Sequence, residues 1–248
     1  MLKSKRLQLG VLLWVAAMAG VVVLSLTVLP QLLEKAPSRV PVHVAIAISM
    51  LQSAALVALA VWAGVVLARP LGLSAPVAES ALAGTGVWTA LKPQLFPAAV
   101  VGLLVGGLLV VLASRAPEEL RALSPAYEFP LAAKLLYGGV TEEILMRWGV
   151  MTAFIWLLWR VLQKRVGPPR GSLVVAGIVT AAVLFGAGHL PVAAAMGVEL
   201  SGPVTAYIIA GNALPGILFG WLYWQRGLEA AIVAHALAHA TATLAAFT

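Results

Sequence analysis

The chain has 248 residues, of which 62% are hydrophobic and only 10% charged, with a mean hydropathy of +1.00. A soluble domain carries about a quarter charged residues, so a water-soluble fold is excluded and the bilayer is the natural solvent. The formal net charge of +7 would suit a polyanion. Its basic residues, however, fall in the gaps between apolar runs, where membrane topology places them, and no nucleic-acid partner is expected.

There is no cysteine, which excludes disulfides, thiolate metal ligands and a cysteine nucleophile. There is no aspartate either, so carboxylate chemistry must come from the nine glutamates, most of them between apolar runs. Length and composition indicate a single integral membrane domain over residues 1–248, with N-terminal spans in 1–113 and a motif-bearing core in 127–247. The expected fold class is an all-α polytopic bundle of about seven spans, with six to eight possible.

The first apolar run, Leu9 to Leu29, follows Lys3, Lys5 and Arg6 and has the outline of a signal sequence. It is long and lacks a clear small-residue cleavage site, so it reads as an uncleaved first span with a cytoplasmic N-terminus. A short loop with Glu34, Lys35, Pro37 and Arg39 precedes the second span, Val42 to Ala68. The third is expected at Leu95 to Ala113, after a Gly- and Pro-containing segment that holds Glu79. Gly102, Gly106 and Gly107 within it suit close helix packing.

A fourth, long span runs from Leu131 to Trp159, a fifth from Ser172 to Leu190, a sixth from Val204 to Trp224 and a seventh from Leu228 to Phe247. Between the third and fourth, Glu118 and Glu119 follow Pro117 as helix-starting carboxylates. Trp156, Trp159, Trp221 and Trp224 lie near span ends and read as interfacial anchors. With the N-terminus inside, about ten Lys and Arg fall on its side and about five on the other, which supports an odd number of spans and a multi-pass protein of the cell membrane.

Almost nothing ionisable lies in mid-span except Gly138-Gly139-Val140-Thr141-Glu142-Glu143-Ile144-Leu145-Met146-Arg147. Each charge there costs about 2.5–3.5 kcal/mol on insertion scales, so a sequence rarely keeps such groups without using them. Residues four apart share a helical face, whereas adjacent ones point ~100° apart. Glu143 can therefore reach Arg147, leaving Glu142 unpaired as a general base in a partly dry cavity. A packing network without catalysis is the alternative reading.

Three histidines join this group: His189, ending Phe185-Gly186-Ala187-Gly188-His189, and His235 and His239, one turn apart. Counted from the loop they share at ~1.5 Å per residue, Glu142 lies ~27 Å deep and His189 ~26 Å, so they can meet across a helical hairpin. His235 lies only ~10 Å from the loop before its span, too shallow unless the sixth helix is short and starts near Asn212 or Pro215.

Glu142-Glu143-Ile144-Leu145-Met146-Arg147 matches EExxxR and Phe185 to His189 matches FxxxH. The run from Gly216 through Gly227 to His235 is similar to the approach to HxxxN. In this order, the motifs resemble those of the CPBP family, the CAAX-protease and bacteriocin-processing intramembrane peptidases that include the Rce1-type prenyl-protein endopeptidases.

The resemblance implies hydrolysis of a peptide bond within the membrane without a covalent intermediate. Glu142 and His189 would activate water, Glu143 and Arg147 would support them, and His235 would stabilise the oxyanion. His239 stands where the family has asparagine. That change reopens a zinc site built from His189, His235, His239 and a glutamate, although a metal-free glutamate mechanism is the favoured reading. The implied partners are the lipid bilayer and a lipidated or membrane-embedded peptide substrate. A non-catalytic immunity or scaffold factor of the same fold is the alternative, and a transporter is less favoured because no paired repeats are evident.

Overall fold

Hydrophobic runs with no water to satisfy their backbone must close every hydrogen bond internally, and this chain does so as helices. The computed structural model describes residues 3–35, 40–122, 127 and 129–246. Seven helices in it are long and apolar enough to cross a membrane. The spanning elements are α1 (Lys3–Thr27, continued by Leu29–Lys35), α2 (Val42–Leu67), α4 (Val87–Ser114), α5 (Leu131–Leu162), α6 (Gly171–Gly188), α8 (Gly202–Arg226) and α9 (Leu228–Ala245). Among the short helices between them are α3 (Pro76–Ala83) and α7 (Leu190–Ala195), the second extending the fifth span past His189.

The order of the spans is as expected, but several ends differ. Helix α4 begins at Val87, eight residues before Leu95, and runs through Pro93 and Pro97. Proline removes a backbone donor and looks like a boundary in sequence, yet spanning helices accept it because neighbouring groups satisfy the freed carbonyls. Helix α8 is a full 25 residues, so the short sixth helix is not found. Its start is set by Ser201, whose side chain accepts the Val204 N–H, and by Pro203 in the first turn. Pro37, Arg39 and Phe247 lie outside the described residues.

Gly227 ends α8 with φ 105°, a left-handed conformation that favours glycine. A β-carbon there would also strike the ring of Pro76. The turn is buried beneath α3: Leu228 donates its N–H to the Ser74 carbonyl at 3.1 Å, and Ala78 donates to Glu229 Oε1 at 2.9 Å. Because this turn is roofed by protein, counting from it understates how deep His235 lies. That removes the discrepancy without shortening α8.

Small residues set the packing around α5. Thr141 donates its hydroxyl to the Ala17 carbonyl on α1 at 2.7 Å, and Trp148 donates Nε1–H to the Val61 carbonyl on α2 at 3.3 Å. Gly64 leaves the space that the Trp148 indole fills. Helix α9 packs most extensively on α4, where a β-carbon on Gly102 or Gly106 would crowd the Ala234 carbonyl and Leu237, or Thr241. Gly107 has nothing within 4 Å and takes no part in that contact. Trp159 is 6% exposed and donates Nε1–H to the Gly167 carbonyl at 3.0 Å, so it closes a loop and is not a lipid-facing anchor.

Candidate active site

Helix α5 departs from α-helical winding on both sides of the glutamate pair, being π-helical over Lys134–Thr141 and again over Ile144–Met151. Single-turn π segments are the usual form, and such stretches mark functional sites. Two threonines fit this winding: Thr141 Oγ1 reaches the Leu136 carbonyl and Thr152 Oγ1 the Arg147 carbonyl, each five residues back. Thr152 is further held by the Tyr223 hydroxyl at 2.9 Å.

Glu142 and Glu143 fall between the π segments and point to different surroundings. Glu143 is fully buried. Its Oε1 faces Arg147 Nη1 at 3.0 Å, the ion pair expected from the four-residue spacing, and accepts a hydrogen bond from His235 Nδ1 at 2.8 Å. Arg147 also donates Nη2–H to the Gly216 carbonyl at 3.1 Å and lies 5.2 Å and 5.5 Å from the ring centres of Phe185 and Phe219. One buried ion pair thereby connects α5, α6, α8 and α9.

Glu142 instead lines a cavity of about 430 Å³, together with His189, His235 and His239. Its Oε2 lies 4.0 Å from His235 Nε2, beyond hydrogen-bond reach. A single water at ~2.8 Å from each atom would close that triangle. His189 directs Nδ1 to the Phe185 carbonyl at 2.8 Å. A carbonyl only accepts, so Nδ1 carries the proton and Nε2 keeps its lone pair. The carboxylate of Glu143 fixes the His235 tautomer in the same way.

The His235 ring is sandwiched between Phe219, with ring centres 4.6 Å apart, and His239, 4.9 Å apart. Gly138 makes room for His239, because a β-carbon there would sit 2.7 Å from its Nε2. All six residues singled out from sequence therefore cluster, four on the cavity wall and Glu143 and Arg147 behind it.

Lys134, Tyr137 and Asn212 also line the cavity and were not singled out as site residues. Asn212 donates to the Ile208 carbonyl at 2.8 Å within its own helix. As a lone amide inside an apolar span it carries a signal, whereas Lys134 lies three residues past the start of its span, where cations are common. Among the described residues, no group of three or more histidine and carboxylate side chains is arranged to hold a metal ion. His235 and His189 each direct Nδ1 to an acceptor, Glu143 and the Phe185 carbonyl, which leaves Nε2 as the ring nitrogen free to meet a ligand.

Carboxylates and histidines gathered around a cavity within the spans of a multi-pass membrane protein mark a candidate functional site. Residues 125–241 match the family model described as Rce1-like, type II CAAX prenyl endopeptidase Rce1-like. The matched segment covers 117 of the 248 residues and contains the Glu142 to Arg147, Phe185 to His189 and Gly216 to His235 motifs on which the resemblance rests. Neither the curated proteins nor the solved structures give a significant match.

Proposed function

We propose that the chain is a glutamate-type, metal-free intramembrane endopeptidase of the cell membrane, acting on a lipidated or membrane-anchored protein or peptide, with its N-terminus in the cytoplasm. The observation that carries this reading is the division of the glutamate pair, Glu142 on the cavity wall and Glu143 sealed behind it in contact with Arg147 and His235.

In the proposed reaction Glu142 takes a proton from a water held between it and the histidines, and the hydroxide adds to the scissile carbonyl. His189, with its Nε2 lone pair toward the cavity, orients that water. His235 stabilises the oxyanion of the tetrahedral intermediate through Nε2–H. With Nδ1 tied to Glu143, the His235 ring is held so that Nε2 lies on the Glu142 side of the cavity. Collapse of the intermediate breaks the C–N bond, and Glu142 returns its proton to the leaving amine. His239, stacked on His235, supplies a second donor where the family has asparagine.

That substitution is also the observation favouring a non-catalytic factor of the same fold. The test is proteolysis of lipidated and transmembrane peptides in detergent by the wild type, Glu142→Ala and His189→Ala. Each substitution is expected to lower the rate by ~10²-fold or more, the usual contribution of a positioned acid or base. Intact activity in either variant refutes the mechanism, and no cleavage by the wild type favours the binding role.

A further inference from the structure

The cavity is not symmetric across the bundle. Its wall runs from Glu142 and His235 toward Lys134 and Phe129 at the start of α5, Val192 beyond the end of α6, and Asn212 in the first half of α8. All of these lie toward one end of the molecule, the end at which α1 finishes. The opposite side of the site is closed by Ile144, Trp148, Met151 and Phe219, each no more than 1% exposed.

The charge pattern identifies the two ends independently. Lys3, Lys5, Arg6, Arg69, Lys92, Arg160, Lys164, Arg165, Arg170 and Arg226 fall at the end where α1 begins. Among the described residues, only Lys35, Arg115, Arg121 and Lys134 fall at the cavity end. The connections between spans are short, which is the condition under which Lys and Arg set orientation, and the richer side stays in the cytoplasm.

We infer that the catalytic cavity opens on the extracytoplasmic face, and that its substrate is a peptide segment presented there: an exported chain, or the outer flank of a membrane anchor. The substrate part rests on the proteolytic reading above, whereas the direction of opening does not. A chain that remains on the cytoplasmic leaflet would meet the sealed side of the site. A substrate from the outer side meets Lys134 first, a cation at the mouth held 3.3 Å from Thr243 Oγ1.

Because the chain has no cysteine, single cysteines report accessibility without background. Intact cells producing Glu199→Cys, Lys134→Cys, Phe129→Cys or Arg165→Cys would be treated with a membrane-impermeant maleimide. Glu199→Cys and at least one of the two mouth positions are expected to label directly, and Arg165→Cys only after permeabilisation. Labelling of Arg165→Cys in intact cells, alone or with Glu199→Cys, overturns the orientation. Protection of both mouth positions while Glu199→Cys labels overturns the outward opening.

For a lipidated peptide cleaved by the detergent extract, sealed right-side-out vesicles are expected to cleave it from outside, and inside-out vesicles only after detergent is added. The reverse pattern overturns the substrate assignment. If the detergent extract cleaves nothing, the proteolytic reading fails and the labelling alone decides the opening.

Discussion

Replacing Arg147 by methionine keeps the length of the side chain and deletes its charge. In the structure this removes the Nη1 partner of fully buried Glu143 at 3.0 Å and the donor to the Gly216 carbonyl at 3.1 Å. Breaking one side of a buried ion pair costs about 3–5 kcal/mol, because the remaining charge is stranded. Glu143→Gln strands the guanidinium instead and is expected to cost a similar amount. The double variant strands neither, so the two losses do not add, and the cycle should give a coupling of about 1–3 kcal/mol. Reversible unfolding in mixed micelles, followed by circular dichroism, measures all four proteins. Additivity within about 0.5 kcal/mol would refute the coupling of Glu143 and Arg147 in a buried ion pair.

Other perturbations separate neighbouring features. Gly106→Val is expected to destabilise by about 1–3 kcal/mol by overpacking against Thr241, while Gly107→Val, with open space around it, stays within about 0.5 kcal/mol; equal effects in unfolding titrations would contradict the assigned α4–α9 contact. Glu229→Ala removes the acceptor for the Ala78 N–H and should cost about 1 kcal/mol, with faster amide exchange across 76–83 than in the wild type; unchanged exchange would disprove the tie between α3 and α9. Gly138→Ala crowds His239 and is expected to lower the cleavage rate while leaving the melting temperature nearly constant, and an unchanged rate would remove His239 from the mechanism. Proteolysis should survive chelation, and activity lost to a chelator and regained with zinc would overturn the metal-free reading.

The seven spans were legible because each is a long apolar run, and hydropathy needs no knowledge of neighbours. The Glu143–Arg147 pair was legible for a similar reason, being local to one helix. What the sequence concealed depended on contacts between distant segments. The hydrogen bond from His235 to Glu143 joins residues 92 positions apart, and nothing in either motif indicates which glutamate the histidine meets. The depth of His235 was misjudged because the turn at Gly227 looked like a surface loop, and only the Ser74 and Pro76 contacts reveal it as interior. The π winding was hidden because an apolar helix has the same composition under either hydrogen-bond pattern. Trp159 was misread because a tryptophan near a span end suits both lipid and a buried loop.

The contact between α4 and α9 has a consequence for dissecting the molecule. The helix carrying His235 and His239 rests on a partner that lies wholly before residue 125, outside the segment that the family model matches. Excising that segment would strip the histidine helix of its principal support, and transplanting it onto foreign spans would succeed only if they reproduced the notches at Gly102 and Gly106. The matched segment can thus be recognised separately, but its histidine helix is held from outside it, so a bulkier residue at Gly102 or Gly106 calls for a smaller one opposite, on α9.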